Sequence, residues 1–430
     1  MGAPASRAAI VGRPAAPPPP RLPAPRAWVY TTGMPMISDT ASLAAFCDSL
    51  AAAPYVTVDT EFMREKTYYP QLCLVQVGGP AEAKAIDPLA PGIDLAPLFE
   101  LLRNPKILKV FHAARQDIEI FLHLMGEVPA PLFDTQVAAM VCGFGDAVSY
   151  ENLASQLARA RIDKSMRFTD WSLRPLTEKQ VQYALADVTH LRIAYEKLAR
   201  KLEKNGRADW LADEMAELNN PDTYRVLPEN AWKRLKPRSS SAKFLGVLKE
   251  LAAWREREAQ ERDIPRQRLV RDETLTEIAA HHPATVADLS RTRGLGKGLV
   301  EGRMGQAILE AVQRGLQLPE DQIPKPAERV DLPRGLGPVV DLLKVLLKMK
   351  CDEHGVASKL VANAADIDAI AADDDADVPA LHGWRRELFG EDALKLKHGR
   401  LGLGFCTDGR KLRLAPLEPV EPPADAAAED

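Results

Sequence analysis

Short β-rich runs alternate with helical segments between Ile37 and about Leu235, and this alternation limits the possible folds more than any other feature. The predicted strands are Tyr55–Phe62, Leu72–Val77, Ala83–Ile86 and Ile107–Phe111. Strands and helices that alternate in this way pack as a sheet covered by helices. We therefore predict an α/β domain over residues 37–235, built on a mixed sheet.

The strand pattern ends near Leu235, where a linker-like stretch precedes segments with helical periodicity only. Ala242–Arg262 is expected to be helical, Asp272 and Thr285 to cap two further helices, and Lys297–Gln313 to form the last one. A second proline-containing linker follows. We predict two all-α domains, over residues 240–320 and 335–415, the second a diverged copy of the first.

Both ends of the chain have compositions that cannot form a core. Residues 1–33 are rich in Ala, Pro and Arg, which predicts a disordered leader. A transit peptide is one alternative, and a start codon assigned too early, with Met34 or Met36 as the true initiator, is another. Residues 416–430 are expected to be a disordered acidic tail.

The overall composition is that of a soluble globular protein, with 46% hydrophobic and 27% charged residues and no apolar run long enough to span a membrane. Five cysteines without a CxxC pair indicate reduced thiols and a cytoplasmic location. No obligate protein partner is evident.

The net charge of −4 is mild evidence against a nucleic-acid enzyme, but it conceals an uneven distribution. Between Trp232 and Arg271 there are twelve Lys and Arg residues and five Asp and Glu residues. This segment suits phosphate contacts that position RNA without reading its sequence. A solvated helix face with Glu–Arg pairs is the alternative.

Two carboxylates, Asp59 and Glu61, lie two residues apart in one predicted strand. Because side chains along a strand alternate between its faces, both point the same way, while Val56, Val58 and Phe62 point into a core. The two carboxylates repel each other, and a hard divalent cation with oxygen ligands would neutralise them. The alternative is a strand with one polar face exposed to solvent.

A third carboxylate, Asp117, lies where the buried strand Ile107–Phe111 leads into a helix. The helix dipole favours a carboxylate in the first turn, so an ordinary helix-start acid is the competing interpretation. Glu119 lies two residues further on and faces elsewhere, so we do not assign it to the site.

A later helix is predicted to begin at a capping box formed by Thr177 and Gln180. Tyr183 and Asp187 then stand four residues apart on one face of that helix. Taken alone, they are equally compatible with a Tyr–Asp pair at the surface.

The order of these fragments is more specific than any one of them. D-x-E on a first strand, D at a helix start and Y-x-x-x-D on a later helix form the signature of DEDD-type exonucleases of the tyrosine subclass. Residues 37–235 resemble the ribonuclease D family through four stretches: Val58–Arg64, Tyr69–Gln76, Phe133–Gln136 and Thr169–Leu176. The helical blocks resemble HRDC modules through Ala253–Ala259 and, more weakly, Leu381–Gly390.

The resemblance implies a ribonuclease H-like fold and a 3′→5′ exoribonuclease with two divalent metal ions, Mg²⁺ with Mn²⁺ as a substitute. It implies that Asp59, Glu61 and Asp187 hold the metal that activates water, and that Asp59 also binds a second metal near Asp117. Tyr183 would hydrogen-bond the attacking water. The implied substrates are tRNA precursors, cut to 5′-nucleotides. The alternatives are a DNA exonuclease and an inactive RNA-binding protein.

Six further residues are candidates for binding the nucleic acid: Phe62, Met63, Gln76, His112, Trp171 and Arg174. Phe62 and Met63 follow the metal strand and would wedge against the terminal base. Gln76 either faces the site or satisfies its own strand, and His112 either contacts a phosphate or is structural.

Trp171 and Arg174 have two interpretations that the sequence does not separate. They either contact the nucleic acid or hold the loop before the catalytic helix. Asp134, by contrast, is expected to cap a helix.

Overall fold

The computed structural model describes residues 36–163, 165–325, 333, 335–407 and 409–418. The predicted leader and all but the first three residues of the predicted acidic tail lie outside these ranges. Within them, no helix combines the length and the apolar character that crossing a bilayer requires.

A six-stranded mixed sheet forms the centre of the first domain, in the order β1-β4-β3-β2-β5-β6. Its strands are β1 Met36–Ile37, β2 Tyr55–Met63, β3 Gln71–Gly78, β4 Ala83–Ile86, β5 Leu108–Phe111 and β6 Leu132–Asp134. β2, β3 and β4 are antiparallel neighbours, whereas the pairs β1–β4, β2–β5 and β5–β6 are parallel. The predicted mixed sheet is confirmed, with β1 and β6 as additional strands.

Seven α-helices accompany this sheet in the described part of the domain: α1 Thr40–Ser49, α2 Ala96–Arg103, α3 Arg115–Met125, α4 Thr135–Val141, α5 Tyr150–Ala158, α6 Glu178–Asn205 and α7 Ala212–Asn219. The predicted capping box at Thr177 and Gln180 begins α6. α3 ends at Gly126, whose φ of 78° favours glycine.

The long helix α6 lies across β2, and two hydrogen bonds fix their relative position. Tyr55 donates from its hydroxyl to Glu196 at 2.7 Å, and Thr57 donates to the Val188 carbonyl at 2.9 Å. These residues alternate along β2 with Val56, which is buried in the core. The side of β2 that carries Tyr55 and Thr57 therefore faces α6.

The next domain is helical and has a hydrophobic core of its own. Its helices are α8 Ala242–Glu261, α9 Arg266–Leu269, α10 Asp272–His281, α11 Val286–Leu289, α12 Lys297–Val300 and α13 Arg303–Leu316. Thr285 caps α11 as predicted. Asp272, however, is the first residue of α10 rather than its cap, and the predicted helix Lys297–Gln313 is interrupted at Gly302.

The last block contains α14 Gly337–His354, α15 Ser358–Val361, α16 Ala364–Ala372, α17 Gly383–Arg385 and α18 Glu391–Lys397. It then ends in an antiparallel hairpin, β7 Leu401–Phe405 and β8 Leu412–Pro416. The prediction of an all-α block was therefore wrong for its end, because Leu401, Leu403 and Phe405 alternate with glycines and have strand spacing.

Contacts of α17 with α7 and with Trp210, just before α7, attach this last block to the first domain. The rings of Trp210 and Trp384 stack with centroids 4.2 Å apart and planes 5° from parallel. Arg385 donates to Asp213 at 2.9 Å and to Glu214 at 3.0 Å. Hydrophobic residues of both parts also belong to one continuous core. The last block is therefore packed against the first domain rather than tethered to it.

Candidate active site

Asp59 and Glu61 line a cleft of about 300 Å³ beside α6. Both follow Tyr55 and Thr57 at intervals of two residues, so they lie on the face of β2 that α6 covers. Thr60, between them, points the other way and donates its hydroxyl to the carboxylate of Asp117. β2 therefore contributes to the site from both of its faces.

Asp117 lies in the first turn of α3 and is 7% exposed. The turn before α3 is held by Asp134, which accepts hydrogen bonds from the backbone nitrogens of Ala113 at 3.0 Å and Ala114 at 2.9 Å. Ala113 has a φ of 55°, an unfavourable conformation for a residue other than glycine. Asp134 also caps α4 through Gln136, as predicted, so it positions Asp117 in addition to starting a helix.

Tyr183 and Asp187 both line the cleft from α6. They are one turn apart, as predicted, and the ring of Trp171 packs near Tyr183 with centroids 6.1 Å apart. The structure thus brings together the five predicted catalytic residues, because Asp117 interacts electrostatically with Asp59 and Glu61 at the same site.

Burial and mutual repulsion make the ionised state of these carboxyls unfavourable. Burial, followed by the charges of neighbouring carboxylates, raises the pKa of Asp59 and Asp117 well above the usual range and that of Glu61 to about 9. Burial raises the pKa of Asp187 to about 7. Four carboxyls in such surroundings suit a hard cation that prefers oxygen ligands.

The four carboxyl groups face one site, but their oxygens do not converge on a single position. Across the described ranges, no three Asp, Glu, His or Cys side chains are as close together as the ligands of a bound metal ion. The donor chemistry therefore fits divalent cations, and the side chains would have to move closer to ligate them.

Two family models match the chain. A 3′-5′ exonuclease model matches residues 34–203, and an HRDC domain model matches residues 244–312. Ribonuclease D of Gluconacetobacter diazotrophicus is 52% identical over 381 residues, which cover 89% of this chain and 96% of that relative. The chain belongs to the ribonuclease D family. Members of this family are 3′→5′ exoribonucleases that depend on divalent metal ions.

Further comparisons agree with this family. Ribonuclease D of Nitrobacter hamburgensis is 53% identical over 89% of this chain and 99% of its own length. The crystal structure of Escherichia coli RNase D superposes with a TM-score of 0.72 and 33% identity, covering 85% of this chain and 98% of that one. The matched HRDC model lies in the first helical block, so a second HRDC copy at residues 335–415 stays a prediction.

In this member of the ribonuclease D family, Arg174 is placed to hold a loop rather than RNA. It forms a forked ion pair with Asp87, at 2.8 and 2.7 Å. It also donates to the backbone carbonyls of Cys73, Trp171 and Leu173. These contacts engage the donors of the guanidinium group, so none is left for a phosphate.

Trp171 is also a loop residue with a packing role. Its side chain is 2% exposed and packs in a hydrophobic cluster with Val181 and Ala184 of α6. Because its neighbours cover the Trp171 ring, neither face of the ring is open to stack on a base of the nucleic acid. The contacts of Trp171 and Arg174 therefore favour the second interpretation, in which both hold the loop before the catalytic helix.

His112 and Gln76 differ in their access to the cleft. His112 lines it, pairs through Nδ1 with the Thr135 hydroxyl at 3.0 Å, and has a pKa lowered by burial, so its ring is neutral. Gln76 is paired with Asp59 across β2 and β3 but is fully buried. Neither atom of its amide group has a hydrogen-bond partner among the described residues.

Phe62 and Met63 are both half-buried and lie outside the lining of the cleft. Phe62 packs against the main core, and Met63 packs in the same cluster as Trp171. The pairing of β2 with β3 shifts between Glu61 and Phe62, as at a β-bulge. Phe62 and Met63 therefore do not continue the strand register of Asp59 and Glu61. Their contact with a terminal base stays a prediction.

Tyr150 and Arg167 are two of the cleft-lining residues that sequence reasoning missed. Tyr150 donates its hydroxyl to the backbone carbonyl of Asp187, and its ring lies 5.3 Å from that of His112. Ser149 caps α5 by accepting from Asn152, and this start signal was the available sequence clue to Tyr150. No comparable signal marks Arg167, which lies in a loop.

Proposed function

We propose that the cleft hydrolyses RNA phosphodiesters from the 3′ end with two divalent cations, Mg²⁺ or Mn²⁺. The observation that carries the proposal is that Asp59, Glu61 and Asp187 line one cleft, with the charge of Asp117 near enough to raise the pKa of Glu61. Asp59, Glu61 and Asp187 would hold one ion, and Asp59 with Asp117 would hold the other. Such a pair of ions activates water and stabilises the leaving oxygen.

Tyr183 would orient the attacking water. Burial and the charges of Asp187 and Glu61 raise the pKa of its hydroxyl above the ordinary value of 10. The phenol therefore keeps its proton at neutral pH and can donate a hydrogen bond. A group in this state aligns the water but does not remove its proton, which fits positioning rather than general-base catalysis.

Maturation of the 3′ ends of tRNA precursors is the activity we propose in the cell, with 5′-nucleotides as products. The Escherichia coli relative is described as an exoribonuclease involved in structured RNA processing. We further propose that the chain works in the cytoplasm without an obligate protein partner. Its five cysteines lie in the described ranges and form no disulfide, which supports a reducing compartment.

Replacing Asp59 by asparagine tests the proposed function. The variant should lose cleavage of a 3′-labelled tRNA precursor by at least a hundredfold in Mg²⁺ while keeping its affinity for that RNA, because only a metal ligand is removed. Asp48→Asn, an exposed change on α1, is the matched control and should cleave normally. Unchanged cleavage by Asp59→Asn would exclude the carboxylate assignment. Faster digestion of a DNA strand of the same sequence would exclude RNA as the preferred substrate.

A further inference from the structure

A second concave region, of about 630 Å³, lies between the nuclease domain and the first helical domain. Two of its residues come from the segments that supply the candidate metal ligands. Arg64 is three residues after Glu61, and Arg115 is two residues before Asp117. The other wall includes Arg266 at the start of α9. We call this region the junction groove.

The junction groove is strongly basic. Its lining contains five arginines and one carboxylate, Glu119, which pairs with Arg64. Four of the arginines, Arg64, Arg115, Arg225 and Arg234, are exposed, whereas Arg266 is half-buried and paired with Glu256. Among the residues that the structure describes, Arg115 donates only to the Thr223 carbonyl, at 3.4 Å, and Arg225 forms an exposed pair with Asp222 at 3.4 Å. Such weak contacts leave guanidinium donors available for anionic oxygens.

Aromatic side chains lie among these arginines. The rings of Tyr69 and His123 stack with centroids 3.8 Å apart and planes 10° from parallel. His123 is exposed, so a planar base can extend the stack on its outer side. Basic grooves with interleaved aromatic rings are typical of sites for single-stranded nucleic acid.

The groove has firmly fixed walls. The backbone nitrogens of Tyr68 and Tyr69 donate to Asp263, just after α8, at 3.0 and 2.9 Å. Gln260 donates to the Tyr68 hydroxyl at 3.0 Å and to the Val226 carbonyl at 2.9 Å. These bonds join the nuclease domain to the helical domain, so the arginines on both sides keep a set spacing.

We propose that the junction groove binds the phosphodiester backbone of the single-stranded RNA segment upstream of the nucleotide being removed. This inference rests on the proposed function, because it assumes that the 3′ end occupies the carboxylate cleft. Arg115, Arg225 and Arg234 contact phosphates, and the Tyr69–His123 stack receives a base. The groove thereby holds the strand without reading its sequence.

The test compares the full-length protein with a triple variant, Arg115→Gln, Arg225→Gln and Arg234→Gln. All three side chains are exposed, so the fold should be unaffected. Binding is measured by fluorescence anisotropy with a single-stranded RNA of about 12 nucleotides, long enough to cross such a groove. The Kd should rise roughly tenfold, and the slope of log K against log salt should flatten by about 2. Arg291→Gln, an exposed change in the helical domain, is the control.

Cleavage of a dinucleotide separates this inference from the proposed function. We expect a dinucleotide to occupy only the cleft, so the triple variant should cleave it as the unaltered protein does. Loss of longer-RNA affinity with dinucleotide cleavage intact supports the groove. Unchanged affinity and salt slope would overturn the groove and leave the nuclease assignment standing. Equal losses on both substrates would also overturn the groove assignment. So would displacement of the bound RNA probe by an acidic peptide but not by competing RNA.

Discussion

Replacing Asp187 by asparagine should stabilise the metal-free protein at alkaline pH while abolishing cleavage. Asp187 is 9% exposed, and burial raises its pKa from 3.8 to about 7. Between those values the folded protein holds a proton that the unfolded chain has released. The stability that this group contributes is therefore complete below pH 3.8 and is lost as the pH rises through 7.

The size of the effect follows from that difference. A pKa rise of about 3 corresponds to about 4 kcal/mol of destabilisation once the carboxyl is forced to ionise in the folded state. Asparagine has nearly the same shape and cannot ionise, so it removes this cost. Its amide group leaves donors without assured partners, which costs about 1–3 kcal/mol. The net gain expected near pH 8 is about 1–3 kcal/mol.

Urea unfolding in a metal chelator, followed by circular dichroism, measures this gain. Near pH 5, where the carboxyl is still protonated in the folded state, the variant should have no advantage. Near pH 8 its unfolding free energy should exceed that of the unaltered protein. Adding Mg²⁺ should stabilise the unaltered protein more than the variant, since a ligand stabilises the state that binds it.

Asp48→Asn, on the exposed surface of α1, provides the baseline for removing an ordinary carboxylate. Its unfolding free energy should follow that of the unaltered protein at both pH values. If Asp187→Asn is equally destabilised at both, the Asp187 side chain makes favourable contacts in the folded protein, and ionising it there carries no burial cost that protonation relieves. The reasoning that joins burial, charge and metal binding would then fail.

Two other substitutions separate positioning from binding. Arg174→Lys should lower the unfolding free energy by about 2–4 kcal/mol, because Asp87 loses its forked partner. The Kd for RNA should stay unchanged. A tenfold rise in Kd with normal stability would contradict the assignment of Arg174 to the loop. Tyr183→Phe should lower kcat roughly tenfold to a hundredfold with little change in KM, measured on single-stranded RNA. A change confined to KM would instead assign Tyr183 to substrate binding.

The main sheet could be predicted because its long strands carry their own signal. β2 alternates Val56 and Val58 with Thr57 and Asp59, and such a period is visible without any knowledge of neighbours. β1 has two residues and β6 has three, too few to show a period. These short strands exist because parallel neighbours pair with them, a tertiary effect that local patterns do not contain.

The carboxylates could be predicted for a similar reason, whereas the roles of Trp171 and Arg174 could not. Asp59 and Glu61 share a face by strand geometry, and Tyr183 and Asp187 share one by helix geometry. Two of the partners of Arg174, Cys73 and Asp87, are 101 and 87 positions away along the chain. A guanidinium group suits phosphate and carboxylate equally well, so only its position in the fold distinguishes the two roles.

The junction groove shows the same limit and also suggests how binding and cleavage are coupled. Arg234 and Arg266 belong to the basic segment that charge counting identifies, but Arg64 and Arg115 are isolated in sequence. These two arginines stand on the segments that carry Glu61 and Asp117. In the proposed complex, a strand whose phosphate is bound by Arg115 is held by α3, the helix that also places Asp117. Moving the groove relative to the cleft would require moving the carboxylates as well, so upstream binding sets the position of the 3′ end.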